Sequence, residues 1–162
     1  MSIGMRGTDA EQTDLHLNKI QMTGRVTRPL DLGMDELRAM DTEEIEDLRV
    51  ICGDGDPKGR IRNCKGVLLD KILGMADVIK AEHNDTKKMF IVVSAHDGYK
   101  VVFSWQEIFN TAVGGGVMIL LERDGKSLDG ELGQLELISA EDYFSGSRYV
   151  RGLKDIEVFM VQ

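Results

Sequence analysis

MFIVVSAHDGYKVVFS, residues 89–104, consists of two apolar runs divided by Asp97-Gly98. An Asp-Gly pair between β-branched segments is a tight-turn signal, and a tight turn can join only antiparallel neighbours. The stretch therefore predicts a β-hairpin. VMILLERDGKSL (117–128) repeats the device around Asp124-Gly125. GQLELIS (133–139) and LKDIEVFMVQ (153–162) read as two further strands, the last turning Ile156, Val158 and Met160 to one face.

Upstream of the hairpin the pattern is more mixed. LHLNKIQMTGRVTRP (15–29) reads as a strand or strand pair that Pro29 ends. In DLGMDELRAMD (31–41), Asp31 or Gly33 can start a short helix whose apolar face is Met34, Leu37 and Met40. IEDLRVICG (45–53) is a strand running into a glycine-rich loop, and KGVLLDKILGMADVI (65–79) has helical apolar spacing interrupted by Gly74. WQEIFNTA (105–112) is one more helical segment. Because strands dominate and the turns demand antiparallel pairing, the expected fold is α+β: mixed, mostly antiparallel sheets with two or three short helices. Residues 1–14 are polar and aperiodic and read as a flexible arm, with residues 15–162 as the domain.

The chain of 162 residues is 42% hydrophobic and 30% charged, which suits one domain with a sizeable core. Its formal net charge of −8 repels a phosphate backbone, so nucleic acid is not an expected partner. No apolar run approaches the ~18 residues of a membrane span. MSIGMRGTDAEQ lacks the charged-then-apolar order of a signal peptide, so a cytoplasmic location is expected; a leader already removed would leave the same sequence.

Spacing alone yields no sharp catalytic motif. His16, His83 and His96 are far apart and read as surface or structural residues. Cys52 and Cys64 form neither a disulfide framework nor a C-x2-C zinc site and read as reduced thiols. CGDGDPKG (52–59) can be read as a turn that needs its glycines for backbone conformation. It can also be read as a nest of N–H groups for an anion, favoured by Lys58, Arg60 and Arg62. Trp105 and Phe109, four apart, read as core or as a lid over core.

Six blocks in order carry a resemblance: GRVTRPLDLGMDELRAM, VICGDG, KGVLLDKIL, VVSAHDGYKVVFSWQEI, RDGKSL and GSRYVRGLKDIEV. Together they resemble the oxidoreductase molybdopterin-binding domain of the sulfite oxidase family over about residues 18–161. The resemblance implies a molybdenum–molybdopterin cofactor, with Cys52 as the thiolate ligand to the metal and Tyr99 as an active-site hydroxyl for an oxyanion substrate. It implies a pterin-phosphate loop at Gly146, Ser147, Arg148 and Arg151, with Arg60 supplying charge near the thiolate. A small-molecule substrate and a separate electron-transfer protein would be the partners.

The chain departs from that pattern at definite places. Cys64 and Gly152 stand where the family commonly carries tryptophan, and Glu136 and Asp142 stand where neutral or basic residues are usual. Two functions follow. One is a molybdenum–pterin oxidoreductase domain that transfers an oxygen atom or electrons. The other is a cofactor-less, non-catalytic module on the same fold that binds a small ligand or a protein. Strand alternation at Leu135-Glu136-Leu137 predicts that Glu136 turns away from the core.

Overall fold

The computed structural model describes residues 18–129 and 133–162. The arm at 1–14, the expected strand start at Leu15 and Leu17, and His16 lie outside the described residues.

The chain runs β1 (Ile20–Gly24), β2 (Leu30–Leu32), α1 (Met34–Arg38), β3 (Glu43–Ile51), β4 (Pro57–Leu68), α2 (Leu69–Ala76) and a 3-10 turn (Asp85–Lys88). It continues with β5 (Met89–Ala95), β6 (Lys100–Ser104), α3 (Trp105–Asn110), a second 3-10 turn (Ala112–Gly116), β7 (Val117–Arg123) and β8 (Lys126–Ser127), and ends with β9 (Glu136–Ser139), β10 (Val150–Arg151) and β11 (Leu153–Met160). One sheet has the order β2-β1-β11-β5-β6; the other has β10-β9-β7-β4-β3, with β8 paired to β7. β1 and β11 run parallel, while the other ladders are antiparallel. Among the described residues the fold is thus α+β with mostly antiparallel sheets and three short helices. None of the helices is long and apolar enough to cross a membrane, among the described residues.

Both Asp-Gly pairs make turns, each in its own way. At 96–98 the Ala95 carbonyl accepts from the Gly98 N–H at 3.1 Å, and Ala95 N–H donates to the Tyr99 carbonyl at 2.8 Å. Only Gly98 needs the left-handed region there, at φ +93. At 124–125 both residues are left-handed, Asp124 at φ 52 and Gly125 at φ 78, which matches the twist of a two-residue hairpin.

The expected helix over 65–79 is shorter than its pattern. Lys65–Leu68 complete β4, because Gly66, Val67 and Leu68 pair with Leu120, Ile119 and Met118 of β7. A Cβ at Gly66 would meet the Ile119 carbonyl oxygen at 2.0 Å, so the two strands approach as closely as they do only with glycine here. Gly74 stays inside α2, which instead ends at Asp77, a left-handed C-cap at φ 55. Leu69, Ile72, Leu73 and Ala76 form its buried face.

One hydrophobic core joins both sheets and the helices. Ile91, Phe103 and Ile156 of the first sheet, Val67, Ile119 and Leu137 of the second, and Ile72 of α2 are all fully buried within it. Trp105 packs partly buried against this core, stacked on Phe109 at 4.1 Å between ring centroids, and so forms the expected lid.

Glu136 does not turn outward. All four residues of β9 are buried, so both faces of this strand are covered and alternation offers no solvent side. The carboxylate, 5% exposed, is held by Arg123 through Nε and Nη2, both at 3.2 Å, and accepts the Tyr149 hydroxyl. Burial first, and then the Glu136 carboxylate, push the Tyr149 hydroxyl well above the ordinary phenol range.

Candidate functional site

β3 and β6 are edge strands of different sheets. An edge strand exposes unpaired backbone groups that something else must satisfy. The segment from Asp142 to Tyr149, between β9 and β10, does this for both edges. Ser145, buried, donates its hydroxyl to the Arg49 carbonyl at 2.7 Å and accepts the Ile51 N–H at 3.4 Å, and Gly146 N–H donates to the Ile51 carbonyl at 2.7 Å. On the β6 side, Arg148 Nη1 donates to the Val102 carbonyl at 2.9 Å. The Tyr99 hydroxyl, at the hairpin that leads into β6, donates to the Ser147 carbonyl.

This seam brings four of the expected site residues together. Cys52 directly follows β3, and a Cβ at Gly146 would lie 3.3 Å from the Cys52 Cα. A Cβ at Gly53 would lie 3.1 Å from the Ser147 Oγ, and Tyr99 is bonded to Ser147 as described. Cys52, Gly146, Ser147 and Tyr99 therefore share one neighbourhood, although Cys52 and Gly146 are remote in sequence.

The three arginines are engaged elsewhere. Arg148 Nε and Nη2 meet the two Asp142 carboxylate oxygens at 2.8 Å each, and Nη2 also reaches Glu107 at 2.9 Å. The guanidinium lies 4.2 Å above the Phe103 ring. Its Asp142 partner first, against the effect of burial, raises its basicity above an already high value. Arg151 stacks over Tyr149 at 4.9 Å, and Arg60 is bonded to Asp47 of β3. Neither of these contacts is with the Cys52 loop.

The loop itself is acidic. Cys52 donates its thiol to Asp54, whose second-next amide, Asp56 N–H, also reaches that carboxylate at 3.0 Å. These two bonds, the thiol first, hold the Asp54 carboxyl below the usual range. The Cys52 sulfur and carboxylate oxygens of Asp54 and Asp56 lie within 4.8 Å of one another. The turn at 52–59 uses amides of its own to close on itself. Cys52 N–H donates to the Asp56 carbonyl and Gly55 N–H to the Cys52 carbonyl, both at 2.9 Å, so these amides are turned inward. Lys58, Arg60 and Arg62 belong to strand β4.

Sequence reasoning missed Glu107 as a site residue, though the signal was present. Ser104 and Glu107 form an S-x-x-E capping box at the start of α3, with Glu107 N–H donating to Ser104 Oγ at 3.0 Å and Ser104 N–H to Glu107 Oε1 at 2.9 Å. The cap fixes Glu107 so that its other oxygen meets Arg148. Cys64, in contrast, is 1% exposed, and burial pushes its thiol up to about 11. Its sulfur reaches the Ile45 carbonyl at 3.5 Å, as part of the core.

Neither a family model nor a curated protein matches the chain. Solved structures do match, among them the sulfane dehydrogenase SoxCD from Paracoccus pantotrophus, with a TM-score of 0.64 at 15% identity. The match covers 87% of this chain and 38% of that chain. At that identity the likeness is one of fold: the chain shares, over most of its length, the architecture of part of the sulfane dehydrogenase structure.

Proposed function

We propose that the chain is a non-catalytic binding module that keeps the fold of a sulfite-oxidase-type molybdopterin domain without its cofactor, with residues 15–162 acting as one unit in the cytoplasm. The observation that carries the reading is the closure of Arg148 on Asp142, Glu107 and the Val102 carbonyl. A pterin phosphate at this loop would have to displace two carboxylates, and charge-assisted hydrogen bonds contribute roughly 1.5–3 kcal/mol each. The donor set around Cys52 also fits the group poorly. Asp54 and Asp56 bring carboxylate oxygens within 4.8 Å of the sulfur, so a thiolate there, or an anionic group bound to it, meets charge of the same sign.

A second reading retains the redox enzyme: a molybdenum–molybdopterin centre held by Cys52, with Tyr99 toward substrate and a separate protein taking electrons. It draws on the shared neighbourhood of Cys52, Gly146, Ser147 and Tyr99. The test is elemental and pterin analysis of protein purified from a host that makes the cofactor. The module reading expects only trace molybdenum, equal in the parent and in Cys52→Ser. About one molybdenum per chain, lost on Cys52→Ser, would overturn it in favour of the enzyme.

A further inference from the structure

The seam between the sheets presents an unusual surface. Tyr143 is 94% exposed, Phe144 48% and Tyr99 44%, three aromatic side chains turned to water where small polar residues would suffice for a loop. The segment that carries Tyr143 and Phe144 meets both other loops of the seam: a Cβ at Gly55 would lie 3.8 Å from the Phe144 ring, and Tyr99 is bonded to Ser147 three residues further on. Carboxylates accompany them. Asp54 and Asp56 belong to the loop beside Phe144, Glu141 precedes Tyr143, and Asp97 accepts the Tyr99 N–H at 2.9 Å. Arg148, which lies in the same segment, is already paired with Asp142 and Glu107.

From this charge pattern we infer that the Cys52–Tyr143 face binds a basic segment of a partner protein, its arginine or lysine side chains lying on the aromatic rings with their charge toward the carboxylates. This rests on the binding-module reading above and names its partner class. The chemistry is that of a cation held over an aromatic face by the ring quadrupole, which favours arginine because its guanidinium is planar and weakly hydrated. A chain of formal net charge −8 would also draw such a segment from a distance. An acidic peptide meets repulsion at the same face.

The test uses the full chain and a synthetic decapeptide of alternating arginine and glycine, followed by amide shift perturbation. The expected result is that shifts centre on residues 52–56, 97–99 and 141–147, and that Tyr143→Ala weakens binding about threefold. The double variant Asp56→Asn, Glu141→Gln should weaken it further, whereas Glu44→Gln on the exposed part of β3 leaves it unchanged. Equal affinity in parent and Tyr143→Ala, or shifts spread without preference over the acidic surface, would overturn the inference. Molybdenum-free protein that fails to bind the peptide would overturn only this inference. One molybdenum per chain would overturn the module reading whatever the peptide does.

Discussion

Arg148 grips Asp142 with two parallel hydrogen bonds, Nε to one carboxylate oxygen and Nη2 to the other, each 2.8 Å long. Because Nη1 and Nη2 also reach Val102 and Glu107, this pair ties the β9–β10 connection to the edge of the first sheet. The residue that the sulfite oxidase resemblance assigns to a pterin phosphate is in this chain bonded to Asp142, Glu107 and the Val102 carbonyl.

The pair can be tested from the Asp142 side. Asp142→Asn keeps the size of the side chain but removes its charge, leaving a partly buried guanidinium less well paired. The expected loss is about 2 kcal/mol, which for a domain of this size lowers Tm by roughly 4–8 °C in a thermal unfolding experiment. Arg148→Lys should not preserve the stability of the parent, because an ammonium group cannot make the two-pronged contact.

Glu107 gives the seam a pH dependence of known sign. Burial opposes its ionisation, but the Arg148 and Ser104 bonds outweigh this and hold its carboxyl below the ordinary range. A depressed folded value means that the stabilisation is fully present above the unfolded value, near ~4.3, and is lost as pH falls through the folded one. Glu107→Gln retains an acceptor for the helix cap but not the charge. Parent and variant should differ by about 1 kcal/mol at neutral pH, and the gap should close on acidification below pH ~4. A gap that is constant with pH would count against the ionic origin.

The two thiols should behave oppositely. Cys52 lies half-buried in its loop, whereas Cys64 is enclosed in the core. Native protein treated with an alkylating reagent should be modified at one site, and Cys52→Ser should remain unlabelled until it unfolds. The Cys64 thiol, raised to about 11 by burial, adds a loss of stability as pH climbs from the ordinary thiol value near ~8.5 toward that figure. That part of the alkaline slope should disappear in Cys64→Ser.

Gly146 can be tested by adding a single methyl group. A Cβ there would sit 2.8 Å from the Ile51 carbonyl oxygen and 3.3 Å from the Cys52 Cα, both backbone atoms that cannot rotate away. Gly146→Ala should therefore push the loop off the edge of β3, at a stability cost of about 1–3 kcal/mol. It should also accelerate alkylation of Cys52. An unchanged rate together with unchanged Tm would show that the contact is looser than these distances require.

The sequence alone determined the features that depend on neighbours along the chain. Asp97-Gly98 and Asp124-Gly125 specified hairpins because their backbone preference is local, and alternation in Ile156, Val158 and Met160 marked the face of β11. Residues 65–68 fit a helical pattern as well as a strand, because Val67, Leu68 and Leu69 are apolar in either structure, and only pairing with β7 makes the first two a strand. Glu136 escaped for the same reason: alternation predicts a solvent face, but a strand covered on both sides has none, and Arg123 and Tyr149 compensate the burial. Sequence order placed Cys52, Tyr99, Gly146 and Ser147 as candidates, and the meeting of two sheet edges brought them together. That Arg148 is engaged by other groups of the chain is visible only in the tertiary structure. A guanidinium has the same sequence signature free or engaged, and its partners, Asp142, Glu107 and the Val102 carbonyl, come from three separate parts of the chain.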